Sequence, residues 1–377
     1  MQYDVVVVGG GPAGASAARA AALRGARVLV LERERLPRYK TCGGGLVGLS
    51  TALCGLPADE LDRLTRAAVT EVTWTSDGRW ERTRRAQEPM FRMILRADFD
   101  AALLDAAARA GAEIRDGVMV TSVDESADGV LVSLRGTEPV RAAVVIGADG
   151  SASRIGAHVG VTCEQVDVGL EGEFPAQHSG FESRVLLDWG PVPGSYGWLF
   201  PKGDIWTVGV IGGRNDGAAV RSYYRDFLDR LGLSEVPPIR DTGHLTRCRT
   251  ANSPLRRGSV LVAGDAAGFL EPWSREGISY ALRSGRIAGE CAADGAVDDY
   301  PRRVLAALDP EMAAGREILA AFQRHPLLFH GVLTGLPGAF GLFQRLIDGR
   351  TTLGRQVGRP GMHRVLAYLA DRAGPRD

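Results

Sequence analysis

The chain has no surplus of either charge: 45 Lys and Arg balance 45 Asp and Glu over 377 residues. Neutralising a phosphate backbone takes an excess of cations, so a nucleic-acid partner is not expected. Cysteine is scarce. Cys42, Cys54, Cys163, Cys248 and Cys291 form no CxxC or Cys/His ligand spacing. Neither a disulfide framework nor a metal site is therefore expected, and a cytoplasmic location fits best. The first four residues lead straight into Val5, Val6, Val7 and Val8 without the basic region or cleavage site of an export signal. Long apolar runs are lacking too. The stretch 326–344 carries no Lys, Arg, Asp or Glu, but its four glycines and two prolines interrupt a spanning helix. What is abundant is glycine, 49 residues without period or linker-like clustering. Such glycines serve turns and close backbone approaches.

The length suits two or three structural units. Residues 5–8 read as a buried parallel strand, 13–24 as an alanine-rich helix and 26–31 as a second strand, a βαβ unit. A helix start is expected near Leu46, sheet over 70–88, a helix over 95–111, and strands over 113–115, 118–123, 129–134 and 142–146. Residues 162–212 alternate and carry aromatics, with 198–200 set against 206–210 across the turn Pro201-Lys202-Gly203-Asp204. Residues 259–263 then read as another buried strand, 277–292 as a helix, and the rest as mainly helical. No internal repeat or low-complexity segment is present.

Three glycine-acid motifs follow apolar strands. Gly9-x-Gly11-x-x-Gly14, with Ala13 in its helix start, lies between the first strand and helix, and Glu32 and Arg33 follow the second strand. That register suits a dinucleotide: the pyrophosphate meets main-chain N–H groups at the helix start, and the carboxylate meets a ribose. A tight αβ turn with a solvated Glu32 is the alternative. Asp149-Gly150 and Gly264-Asp265 stand at two further strand ends, where open α/β sheets hold ligands, although each aspartate could equally cap a helix.

Together with Arg96, Phe99 and Asp100, these motifs resemble flavoproteins of the p-hydroxybenzoate hydroxylase type over roughly residues 3–290. The resemblance narrows to the geranylgeranyl reductase family through Cys42-Gly43-Gly44-Gly45 and the string Tyr196-Gly197-Trp198-Leu199-Phe200-Pro201-Lys202. It implies an α/β fold: a Rossmann-type FAD-binding domain (1–70, 95–160 and 250–295), an inserted antiparallel β-sheet substrate domain (71–94 and 161–249), and a helical C-terminal region (296–377). FAD is the implied cofactor. Gly9, Gly11, Ala13, Gly14, Glu32, Arg33, Cys42, Gly43, Gly44, Arg96, Val120, Asp149, Gly264, Asp265, Gly277 and Ile278 are its expected contacts. Tyr196, Trp198, Phe200 and Pro201 are expected to line the substrate channel.

The implied reaction is reduction of carbon–carbon double bonds in a prenyl chain, with Cys42 as proton donor or flavin-side contact. NADPH, NADH or reduced ferredoxin is the implied electron donor, and an electron-donor protein is an implied partner. Arg275 replaces a glycine of the family pattern. Its guanidinium is expected either to meet the reduced flavin or an anionic substrate group, or to turn to solvent. One alternative is an FAD-dependent monooxygenase or halogenase, for which Lys40 is a loose candidate, more simply a surface loop charge. Another is a non-catalytic flavin- or lipid-binding protein whose stretch 327–343 makes a peripheral membrane contact; packing over the substrate channel is the simpler reading of that stretch.

Overall fold

The computed structural model describes residues 2–176 and 181–371, so residue 1, residues 177–180 of the expected β-rich segment and the last six of the expected helical region lie outside it. The run of β-branched residues at the start does form a buried strand, Gln2–Val8, because an all-valine face leaves nothing polar to hydrate. It sits centrally in an eight-stranded sheet. Thr137–Gly147 flanks it on one side (Val5 opposite Val144) and Val28–Leu31 on the other (Val5 opposite Val28), both parallel. Val260–Val262 extends the sheet beyond Thr137–Gly147 and Glu113–Arg115 beyond Val28–Leu31. The antiparallel ladder Val120–Ser126 and Gly129–Leu134 also pairs onto Thr137–Gly147.

Helix Pro12–Ala22 packs against helix Ile278–Ala293 at backbone distance. A β-carbon on Gly285 or on Gly289 would lie 2.1 Å from the carbonyl oxygen of Ala13 or of Ala17 respectively, so only glycine allows this approach. The glycine loop at the head of the first helix is thereby fixed against a segment 270 residues downstream.

A second, seven-stranded sheet runs Arg240–Arg249, Cys163–Pro175, Ile205–Gly213, Tyr196–Pro201, Arg184–Trp189, Glu71–Ser76, Arg79–Arg85. All its pairings are antiparallel except Arg184–Trp189 with Glu71–Ser76. The aromatic hairpin forms as expected, Trp198 opposite Gly209, with Lys202 and Ile205 closing the turn at 2.7 Å and Gly203 at a φ of 75°. The helix Gly217–Arg230, absent from the sequence expectation, covers this sheet through Val220, Tyr223 and Phe227.

The helix expected to start near Leu46 does not form there. Gly45–Leu46 instead pairs with Phe91–Ile94 in a small three-stranded sheet, and a short helix begins only at Ser50, after Gly48 turns the chain at a φ of 58°. The apolar stretch becomes two helices, Pro326–Gly335 and Ala339–Ile347, bent by 97° at the Pro-Gly break. No single helix among the described residues is long and apolar enough to cross a membrane.

Candidate active site

A cavity of about 840 Å³ runs from the first glycine loop to the bent helices. Its polar end is built by three loops from distant parts of the chain. A β-carbon on Gly14 would sit 1.8 Å from the Gly9 carbonyl oxygen, and one on Gly9 2.3 Å from that of Ala148, so loop and neighbouring strand touch backbone to backbone. Gly11 differs: a β-carbon there would meet only Arg38 at 3.6 Å and Arg96 at 4.0 Å, so its backbone faces the cavity. Gly11 also heads helix Pro12–Ala22 without any side-chain cap, which leaves helix N–H groups for an anion. Glu32 is buried and accepts hydrogen bonds from the N–H groups of Gly10 (2.8 Å) and Glu34 (3.0 Å). Arg33 lies at the cavity wall beside it.

Facing Gly11 are two arginines held by one acid. Asp100 is fully buried and takes both Nε and Nη2 of Arg96, at 2.8 and 2.9 Å, and Nη1 of Arg38 at 2.9 Å. Arg38 also reaches Glu32 at 3.3 Å. The nearby carboxylate raises the Arg96 guanidinium against the opposing effect of burial. Arg38 was not singled out from sequence, although it stands in the string Pro37-Arg38-Tyr39-Lys40-Thr41-Cys42.

Asp149 and Asp265 diverge. Asp149 lines the cavity but spends its carboxylate capping the following helix, accepting from the Arg154 N–H at 2.7 Å and from the Ser153 hydroxyl; burial pushes its carboxyl up. Asp265 also lines the cavity and accepts from the Ser151 hydroxyl at 3.1 Å. Ala13, Val120, Gly277 and Ile278 line it as well, whereas Gly14 and Gly264 stand behind the wall, with a β-carbon on Gly264 2.8 Å from that of Ala13.

Cys42, Gly43 and Gly44 cross the middle of the cavity. A β-carbon on Gly43 would collide with Phe200 at 2.8 Å, and one on Gly44 with the Ile94 carbonyl at 2.3 Å, so the loop can lie flat on the aromatic strand only as glycine. Tyr196, Trp198 and Phe200 all point into the cavity, as a period of two requires; Pro201 is buried on the other side and does not line it. The Cys42 peptide is gripped at both ends. Its N–H donates to Glu171 at 3.0 Å and its carbonyl accepts from Lys202 Nζ at 3.3 Å. Glu171 and Lys202 are each 2% exposed and neither was foreseen. Burial pushes the Glu171 carboxyl up to about 7 and the Lys202 ammonium down.

Glu171 therefore keeps its proton in the folded protein over a range where the unfolded chain has lost it, and stability falls as pH rises from about 4.5 to about 7. At about 1.4 kcal/mol per pH unit, the cost amounts to roughly 3 kcal/mol. A Glu171→Gln variant is neutral at every pH, so denaturant unfolding at pH 5 and pH 8 should show a shallower decline than in the parent. An unchanged decline would assign the slope to other groups, Glu276 first, whose carboxyl burial also pushes up to about 7.

Of the two alternatives for Arg275, the cavity side is the one it takes, whereas Lys40 departs from its expected surface position. Arg275 does not turn to solvent: its guanidinium is buried, pairs with Asp167 at 3.1 Å, and lies 5.8 Å from the Tyr196 ring centre. Its φ of 57° is the conformation a glycine would take more easily, which accounts for glycine in the family pattern. Lys40 is not a surface charge either. It lines the cavity with His244, another residue that no local spacing announced.

Beyond Trp198 the lining turns apolar, with Phe91, Leu187, Trp189, Trp273, Leu333 and Phe343. The indole N–H groups of Trp189 and Trp198 are buried with no hydrogen-bond partner. No cluster of His, Cys, Asp and Glu suited to a metal ion occurs among the described residues.

The polar end fits FAD: open helix N–H groups and two arginines for a pyrophosphate, a buried carboxylate at the second strand end for a ribose, and glycines where the backbone must come close. Comparisons with known proteins agree. The family described as FAD binding domain matches residues 2–174. Digeranylgeranylglycerophospholipid reductase 2 of Methanopyrus kandleri is 32% identical over 335 residues, 79% of each chain. Among solved structures, a geranylgeranyl bacteriochlorophyll reductase-like protein from Thermoplasma acidophilum superposes with a TM-score of 0.81 at 20% identity, covering 98% of this chain and 99% of that one. A flavin-dependent brominase superposes at 0.77 with 18% identity and 98% coverage of both chains. At such identities the two structures speak for the fold.

Proposed function

This chain belongs to the geranylgeranyl reductase family of FAD-dependent oxidoreductases, and from that premise we propose that it saturates carbon–carbon double bonds of a prenyl chain in a lipid, quinone or terpenoid. The observation that carries the reading is the wall made by Tyr196, Trp198 and Phe200 against Cys42 and Gly43, continued by apolar side chains to the bent helices. A long hydrocarbon substrate needs such aromatic walls and few polar groups. Reduced FAD, when bound, supplies the hydride. Glu171 and Lys202 hold the Cys42 loop at the junction of the polar and apolar halves, and the aromatic strand orients the chain and excludes water there. The exposed Leu327 and Leu328 of helix Pro326–Gly335, with Leu336 just past its end, offer an apolar edge by which a lipid substrate reaches the cavity from a membrane surface. NADPH, NADH or reduced ferredoxin is the electron source in this reading.

A second reading keeps FAD but activates oxygen, as a monooxygenase or halogenase; the cavity position of Lys40 favours it. One experiment separates them. The purified protein should be yellow; after reduction, a polyprenyl substrate should gain two hydrogens per double bond in the absence of oxygen. Gain of an oxygen or a halogen atom would establish the second reading, and a colourless protein that takes up no FAD would overturn both. A Cys42→Ser variant should bind FAD normally and turn over about tenfold more slowly; unchanged turnover would remove Cys42 from the mechanism.

A further inference from the structure

Lys40 is an unusual cation for this site. It lines the cavity, it is largely buried, and no carboxylate lies within ion-pair distance of it among the described residues. Its Nζ is hydrogen-bonded to the ring of His244, 3.0 Å from Nε2 and 3.4 Å from Nδ1. Ser151 Oγ lies 3.2 Å from the same Nε2 and donates to Asp265 Oδ2 at 3.1 Å. An ammonium only donates, so Nε2, the nearer ring nitrogen, accepts from Lys40 while Ser151 gives its proton to Asp265. In that arrangement the imidazole is neutral, with its proton on Nδ1, and Lys40 is the cavity end of the chain.

We propose that Lys40 is the proton donor of the reduction, with His244, Ser151 and Asp265 as the positioning residues that aim its ammonium into the cavity. This rests on the reductase reading above. The π bond of the substrate breaks. One carbon takes the hydride that reduced FAD supplies, and the other takes a proton from Lys40 Nζ, whose nitrogen keeps the N–H bonding pair and regains a proton from water when product leaves. The groups around Lys40 suit an acid. Burial, Arg96 and Arg38 push its ammonium down, against Asp265 and Cys42, while burial, Lys40 and Arg96 hold His244 down to about 4, against Asp265. A lowered ammonium gives up its proton more readily near neutral pH, and activity should fall as pH rises through its midpoint.

Two measurements test this. In the FAD-loaded protein, Lys40→Met should lower prenyl reduction by about 10²- to 10⁴-fold with the flavin absorbance unchanged, and Lys40→Arg should not restore it, because a guanidinium does not release its proton. In FAD-free protein, nitrogen NMR should find His244 neutral with its proton on Nδ1 at pH 7, and its titration should move upward in Lys40→Met. Reduction in Lys40→Met within threefold of the parent would overturn the proposal. So would a charged His244 at pH 7, a His244 titration indifferent to Lys40, or halogen incorporation that depends on Lys40. The NMR result stands whether or not any prenyl substrate is reduced, so a failure of the reductase reading is seen separately.

Discussion

Replacing Asp100 with Ala should destabilise the protein by about 3–5 kcal/mol and abolish detectable FAD binding, the largest loss expected of any single side chain here. Asp100 is fully buried and is the shared counter-charge of Arg38 and Arg96, with three N–O contacts between 2.8 and 2.9 Å. Removing it leaves the buried Arg96 guanidinium without its carboxylate and Arg38 with only the longer contact to Glu32, 3.3 Å, beside the glycine loop. Asp100→Asn keeps the shape but offers a single acceptor oxygen and no charge, so its loss should fall between Ala and the parent. The exposed i,i+4 pair of Asp59 and Arg63 provides the contrast: its contact is just as short, 2.8 Å, yet water screens both partners, and Asp59→Ala should leave the urea midpoint at the parent's value. Urea unfolding of the three variants decides the matter. If Asp100→Ala resembles Asp59→Ala, the arginines are stabilised by something other than this acid.

The first glycine motif should separate folding from cofactor binding. In Gly14→Ala the new methyl would sit 1.8 Å from the Gly9 carbonyl oxygen, which cannot retreat because Gly9 itself lies against the Ala148 backbone. Strand and helix must part, at a cost of about 3 kcal/mol, and the protein should bind no FAD. Gly11→Ala adds its methyl where only the ends of the Arg38 and Arg96 side chains are near, at 3.6 and 4.0 Å. That variant should unfold at the parent's temperature without cofactor, yet bind FAD at least tenfold more weakly, because the methyl occupies the side from which a pyrophosphate approaches. Thermal unfolding with and without FAD reads both effects. Equal behaviour of the two variants would mean that Gly11 serves packing alone.

These contrasts follow from how much of the site could be read in advance. The glycine motifs were legible because each is a local pattern of strand, turn and helix, even where the contact that demands the glycine, such as that of Gly9 with Ala148, is distant in the chain. The alternating aromatics from Tyr196 to Phe200 were legible for the same reason, since a period of two states which side chains share a face. Arg38, Glu171 and His244 carry no such pattern, and the string that ends at Lys202 does not show that its ammonium is buried. Each is a single polar residue whose meaning appears only once the second sheet folds over the Cys42 loop. Lys40 was read as a surface charge because lysine usually is one, and tertiary burial overrode that expectation. The expected helix near Leu46 failed similarly: Gly45 and Leu46 find a partner strand, Phe91–Ile94, that no neighbouring residue announces.

The close packing of helix Pro12–Ala22 on Ile278–Ala293 also bears on how the chain is made. During synthesis the first helix emerges early, but the glycines that let Gly285 and Gly289 sit on it arrive some 270 residues later, and Val260–Val262 arrives little sooner to complete the sheet. At about 5–20 residues per second, the nascent chain spends on the order of 15–50 seconds with an alanine face uncovered. Chains interrupted before residue 260 should be insoluble and dependent on chaperones.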